Sequence, residues 1–294
     1  MPELDRLFAA QGGVATSWQI HQHVSRAAVQ RSLRRNLLFR VWPNIYSTAP
    51  PDTAIRLSGL DLRCGEPVAI CLSTAAAMYG FDIGGSRSLH VLNPVGHQLR
   101  NSSGLTVHRR DGVPLTVIGD RMASTPAWTA VEVARDSTRP RALATLDAAL
   151  RSQTCQRQEL LDAALRQHGR RGIVAVREMI PLANPLAESP MESEARLAMH
   201  DGGLPEPVLQ HEIIDRDGQL WRVDFAWPDE MVAVEYDGFD WHSSPAALQR
   251  DRQKRAALEE MGWRVLSIVG DDVRRRPTAM VRRIAGHFGR RAAA

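Results

Sequence analysis

Residues 220–242 read LWRVDFAWPDEMVAVEYDGFDWH. Two runs, LWRVDFAW (220–227) and MVAVEYDG (231–238), flank Pro228-Asp229, a turn dipeptide, so the stretch reads as two strands of a hairpin. Period-two geometry puts Trp221, Val223, Phe225 and Trp227 on one core face and turns Asp224 the other way. In the second run Val232, Val234 and Tyr236 share the core face, while Glu235 and Asp237 share the opposite one. Acids in the middle of apolar strands cost free energy, so structure alone gives little reason for Asp224 and Glu235. Pairing across the turn brings Asp224, Glu235 and Asp237 together. Three neighbouring carboxylates repel unless a cation neutralises them or a proton is retained. Mg²⁺ or Mn²⁺ suits such oxygen ligands. It would polarise a phosphate and lower the pKa of a bound water.

Working outward, VLQHEII (208–214) is a strand before the hairpin, with a turn at Asp215 to Gly218. MESEARLAMHDGG (191–203) is a helix ended by glycines. Glu192 opens that helix within reach of the acids, with Glu194 as its rival. PLANPLAESP (181–190), with three prolines, reads as a linker. Downstream, a helix over about 245–261 precedes a last strand, WRVLSIV (263–269). That helix carries Lys254, the single lysine among 37 basic residues. Asp251, Lys254 and Arg255 lie at helical spacing on one face. The arginines of 274–276 and 282–283 offer phosphate contacts, or a plain solvated face.

The whole chain has 294 residues, enough for two or three domains, and its 44% hydrophobic and 24% charged content fits a folded protein. The uncharged run from Pro67 to Phe81 is too short and too polar for a membrane span. The first residues lack a signal-peptide pattern, and three cysteines without ligand spacing read as reduced thiols. The cytoplasm is the expected location. Charge is segregated: residues 1–188 carry net +7, 189–249 net −10 and 250–294 net +7. An acidic block beside basic ones is what a metal-dependent reaction on nucleic acid needs.

At the N-terminus, helical spacing in 4–13, a short helix capped by Thr16 or Ser17, a basic helix over 26–38 capped by Ser25, and a hairpin over 39–48 follow in order. That order is that of a winged helix-turn-helix. Its third helix would bring Arg26, Gln30, Arg31, Arg34 and Arg35 to DNA. The middle region mixes strands (88–94, 105–110, 114–120) with helices (72–81, 142–152, 158–169). His90 and His108 read as ordinary sheet residues, without a partner at ligand spacing. The expected architecture is an α+β, α/β multidomain chain: winged helix-turn-helix 1–48, mixed middle domain 49–180, linker 181–190 and a nuclease domain 191–294.

The succession of the winged helix with STAAAMYG, LHVLNP, TVHRR, STPAWTAVEVA and ALATLDAAL, over roughly 1–175, resembles AbiEi-type antitoxins. Those are winged-helix transcriptional regulators of type IV toxin–antitoxin systems. SPMESEARL, VDFAWPDEMVAVEYDGFDWH and RDRQKRAALEEMGWRVLSI, within 189–285, are similar to the PD-(D/E)xK endonucleases, specifically the branch that resembles very-short-patch repair enzymes. That resemblance implies a restriction-endonuclease-like mixed β-sheet flanked by helices, and Mg²⁺-dependent DNA cleavage in bacterial defence or DNA repair. It makes Glu192, Asp224 and Glu235 the acidic triad and metal ligands, and His242 a general acid/base or a group orienting water. The superfamily's lysine two residues after the second acid is replaced here by Asp237, so its role is vacant or moved to Lys254, with Arg255 alongside for DNA. The leading expectation is a metal-dependent DNA endonuclease targeted or regulated by the winged helix. The alternatives are an AbiEi-like regulator with a weak or inactive nuclease fold, and an adaptor that binds a toxin or other protein. A homodimer is left open, and no membrane partner is expected.

Overall fold

The computed structural model describes residues 2–81, 84, 88–238 and 245–289. Its contacts form two compact units, Met1–Met78 with Gly85–Thr125, and Tyr79–Gly84 with Pro126–Ala294. Among the described residues no helix is long and apolar enough to cross a membrane.

The first unit opens with α1 (Pro2–Ala10), β1 (Val14–Thr16), α2 (Ser17–His21), α3 (Arg26–Arg34), β2 (Phe39–Trp42) and β3 (Ile45–Ser47). Thr16 caps α2 in a capping box with Gln19, and Ser25 caps α3 by accepting from Ala28 N–H. The basic helix stops at Arg34 rather than at 38, and Asn36 follows in the left-handed region. Asn44, also left-handed, turns the β2–β3 hairpin. The strand β1, which the sequence did not announce, pairs antiparallel with β3 and completes a three-stranded sheet in the order β1-β3-β2. Phe8, Ala15, Ile20, Val29, Leu38 and Tyr46 form the core.

Then come α4 (Thr53–Cys64), α5 (Leu72–Met78) and β4 (Leu89–Leu92), which pairs in parallel with β5 (Leu105–His108). β6 (Leu115–Ile118) and β7 (Arg121–Ser124) form an antiparallel pair. His90 and His108 are sheet residues as expected, but each has the other as a partner. The register His90↔Thr106 makes them diagonal neighbours, and the rings stack with Nδ1 of His90 3.0 Å from Nε2 of His108.

The second unit begins with α6 (Pro126–Arg135), α7 (Arg139–Arg151), α8 (Arg157–Arg166) and α9 (Ile173–Met179). The segment 181–190, expected as a linker, lies inside this unit. Ala183 and Ala187 are buried, and the Arg157 guanidinium donates to the carbonyls of Ile180, Pro181 and Ala183. α10 (Pro190–Asp201) follows and is tied to α7 by a buried ion pair. Arg196 (5% exposed) donates to both oxygens of Asp147 (0%), at 3.1 and 2.9 Å, and Asn184 N–H also donates to Asp147.

β8 (Val208–Ile214), β9 (Leu220–Trp227), β10 (Val232–Tyr236), α11 (Pro245–Glu260), β11 (Arg264–Ile268), α12 (Gly270–Arg275) and α13 (Pro277–Ala285) complete the unit. The sheet order is β11-β10-β9-β8; β8, β9 and β10 are antiparallel, and β10 pairs with β11 in parallel across the α11 crossover. One face packs against α10, α12 and α13 through Met199, Phe225, Val234, Val273, Met280 and Ile284. The other face meets α11 through Val223, Ala233, Leu258 and Trp263.

Here one expectation fails. Phe225 and Trp227 join the first core, whereas Val223 and Trp221 join the second, so the four do not share a face. The physical cause lies beside them: Gln210 of β8, at φ 49, interrupts the ladder, whose register passes from Leu209↔Phe225 to His211↔Val223. The register is the same on both sides of Gln210, and the alternation changes hand opposite it, at Asp224.

Candidate active site

Asp224 occupies the place where both neighbouring strands let go of β9. On one side stands the Gln210 irregularity. On the other, the β9–β10 pairing runs from Val232↔Trp227 and stops at Val234↔Phe225. Beyond it, the Asp224 carboxylate itself accepts Tyr236 N–H at 2.8 Å, in place of a ladder bond. A strand acid is thereby satisfied by backbone while remaining at a break in the sheet.

Glu192 comes from the first turn of α10, which Ser189 caps by accepting Glu192 N–H at 3.1 Å. Its side chain is 8% exposed. One oxygen accepts from Glu188 N–H and from Gln210 Nε2, both at 2.9 Å. Burial pushes the Glu192 carboxyl above the usual range, against the pull of its hydrogen bonds, and the negative charges of Asp224 and Glu188 add to the rise. Asp224 is likewise pushed up by burial, with Tyr236 N–H and the Lys254 charge opposing and Glu188 reinforcing. The rival, Glu194, turns elsewhere: it accepts a two-pronged contact from Arg274 at 2.8 and 2.9 Å, with Arg141 at 3.3 Å.

Glu235, near the end of β10, forms an ion pair with Lys254 of α11, and both side chains are largely buried. Burial lowers the Lys254 pKa and Arg222 lowers it further, while Asp224 holds it up. The lysine therefore senses both strand acids. Arg255, the next residue, donates to Ser267 Oγ at 2.7 Å, the residue opposite Glu235 in the parallel register. Asp237 follows β10 with an exposed side chain, and its N–H closes on Ile268 O at 2.8 Å. His242 lies outside the described residues.

Two participants escaped the sequence reading. Glu188 lies near Glu192 and Asp224 and pairs with Arg222 at 2.8 Å. Its signal was the spacing of four residues before Glu192, hidden by the prolines around it. Gln210 holds Glu192 while its own Oε1 is buried with no hydrogen-bond partner among the described residues. Nothing in the HEII pattern announced it.

As donors, three carboxylates match a hard divalent cation, and the raised pKa of Glu192 and Asp224 is the electrostatic load that such a cation relieves. Among the described residues, however, no group of three or more Asp, Glu, His or Cys is gathered closely enough to hold a metal ion. In the first unit, Arg26, Gln30, Arg31, Arg34 and Arg35 are all exposed along or just after α3.

Comparison with known proteins adds family to geometry. Residues 68–182 match the AbiEi antitoxin C-terminal domain. Residues 215–287 match a restriction-endonuclease family, REase_MTES_1575. Two relatives, the uncharacterized proteins Rv2248 and MT2308 of Mycobacterium tuberculosis strains H37Rv and CDC 1551, are each 50% identical over 267 residues, 91% of this chain and 98% of the relative. The chain therefore belongs to one family with these mycobacterial proteins, and it joins an AbiEi-antitoxin-like segment to a restriction-endonuclease-like one.

Proposed function

We propose that the chain is a divalent-metal-dependent DNA endonuclease of the PD-(D/E)xK type, acting in the cytoplasm, with an N-terminal winged helix that holds it on DNA through Arg26, Gln30, Arg31, Arg34 and Arg35. The observation that supports this reading is the Lys254–Glu235 pair beside Asp224. The superfamily's lysine position is taken by Asp237, and a half-buried ammonium from α11 reaches the strand acid instead. Glu192, Asp224 and Glu235 would hold Mg²⁺ or Mn²⁺, which supplies phosphate polarisation and an acidified water. Lys254 then donates to a non-bridging oxygen as negative charge grows on the phosphate, an interaction worth more in a partly dry site than in water. Gln210 keeps Glu192 turned toward Asp224. Arg255 contributes a backbone contact, Asp237 stands beside the acids, and His242 would act as general acid/base or orient the water.

The test is plasmid nicking by the full chain in Mg²⁺, in Mn²⁺ and in EDTA, with Asp224→Ala and Lys254→Met alongside. Cutting that needs metal and fails in both variants supports the reading. A protein that shifts DNA but never cuts it overturns it.

A second reading has its own support in the Lys254–Glu235 ion pair, which puts an ammonium on an acid that a metal ion would otherwise need. It makes the chain an AbiEi-like DNA-binding regulator or antitoxin, with a toxin as partner, in which Lys254 replaces the cation and silences a nuclease fold. Tight DNA binding with no cutting, unchanged by Asp224→Ala, is the result it requires.

A further inference from the structure

A cavity of about 990 Å³ opens among α7, α10, α12 and α13, away from the acids that surround Asp224. Its volume lies at the upper end of what small-molecule sites use. Leu197, Val281 and neighbouring prolines give it apolar walls, and four arginines, Arg139, Arg141, Arg274 and Arg282, face two carboxylates, Glu194 and Asp201. The charges are organised. Glu194, 6% exposed, holds Arg274 in a two-pronged pair and touches Arg141, which fixes two guanidinium groups at the wall. Arg139 pairs with Asp201. Arg282 is exposed and has no hydrogen-bond or ion partner among the described residues. Thr138, which caps the thirteen-residue α7 without a side-chain cap bond among the described residues, and Arg139 to Arg141 of its first turn also line the cavity, so the positive end of the α7 dipole faces it.

We propose that this cavity binds a free mononucleotide. Surplus planar guanidinium groups at the positive end of α7 match a phosphate. The apolar walls match a flat heterocycle, and the volume admits both at once. The ligand combining a small phosphate with an aromatic ring is a nucleotide. This inference does not depend on the nuclease reading, since none of the residues used belongs to that site.

Calorimetric titration of the full chain with AMP, GMP, CMP and UMP, and separately with adenosine, inorganic phosphate and a short DNA duplex, tests it. At least one mononucleotide is expected to bind with a sub-millimolar Kd, and adenosine and phosphate at least tenfold more weakly. Val281→Trp, which fills the cavity, and Arg282→Glu, which reverses its free cation, should each weaken that binding at least tenfold. Circular dichroism checks that both stay folded; if Val281→Trp does not fold, the exposed Arg282→Glu decides alone. No mononucleotide binding at millimolar concentration overturns the proposal. So does phosphate binding as tightly as the nucleotide, or nucleotide binding indifferent to the substitutions. Tighter binding of the duplex through Arg282 also overturns it, because the groove then holds DNA backbone.

Discussion

Lys254 and Glu235, nineteen positions apart, meet across the junction between α11 and the end of β10. The pair carries the single lysine of the chain to an acid at the edge of a break in the sheet. Its ammonium has a lowered pKa because it is buried and because Arg222 is near, and Asp224 opposes the fall.

If that ammonium works on the phosphate, Lys254→Met should cut plasmid DNA on the order of a hundredfold more slowly or worse, the scale set by a lost charged donor. Lys254→Arg should keep part of the rate, since it keeps charge but not shape. Initial nicking rates at saturating DNA are the measurement. Equal rates in wild type and Lys254→Met would remove lysine from the chemistry.

Glu192 has a pH signature. Its folded-state pKa is raised, so the fold takes up a proton that the unfolded chain does not yet hold. Stability from this group therefore increases as pH falls through the raised value, and the gain is complete near the ordinary carboxylate pKa. Glu192→Gln keeps an acceptor for Glu188 N–H but removes the charge. In EDTA it should melt a few degrees higher than wild type near neutral pH, and the difference should shrink on acidification. Melting curves across the range from neutral to mildly acidic pH decide this.

Arg196 and Asp147 form a fully buried pair, and breaking one partner leaves an uncompensated charge. Arg196→Met should cost about 3–5 kcal/mol of unfolding free energy. The double variant Arg196→Met with Asp147→Leu should recover most of it. Denaturant titration of both measures the difference.

The thiols of Cys71 and Cys155 are both pushed by burial up to about 12. At mildly alkaline pH in the native state neither should react with iodoacetamide within the time that labels a free peptide thiol, because the thiolate is the nucleophile. Mass spectrometry before and after unfolding reads this out.

Exposed arginines on α3 make a separate claim about DNA. For each phosphate contact removed by Arg31→Ala or Arg34→Ala, the slope of log K against log salt should fall by about 0.9. Fluorescence anisotropy with a duplex over a salt series measures it, and an unchanged slope in the double variant would exclude α3 as the contact surface.

Much of the architecture was readable from local pattern. The pairing of β9 with β10 follows from alternation around Pro228-Asp229, and α2 and α3 start at Thr16 and Ser25 as side-chain capping requires. What escaped depends on partners distant in sequence. The three residues of β1 are too few to show a period, and only β3 gives them a role. Strict alternation failed at Asp224 because the disturbance arises in another strand, at Gln210. The choice between Glu192 and Glu194 was undecidable on the helix alone; Arg274, eighty residues away, settles where Glu194 turns. Glu188 was masked by prolines that signal a chain break but here run through packed structure.

The parallel pairing of β10 with β11 bears on timing. During synthesis β8, β9 and β10 can zip as each emerges, since every contact is with the strand just made. The α11 crossover can dock only after β11 has left the ribosome, a longer loop to close. Asp224 and Glu235 are thus in position before Lys254 docks, so any chemistry that needs all three waits for the α11 crossover to close on β11.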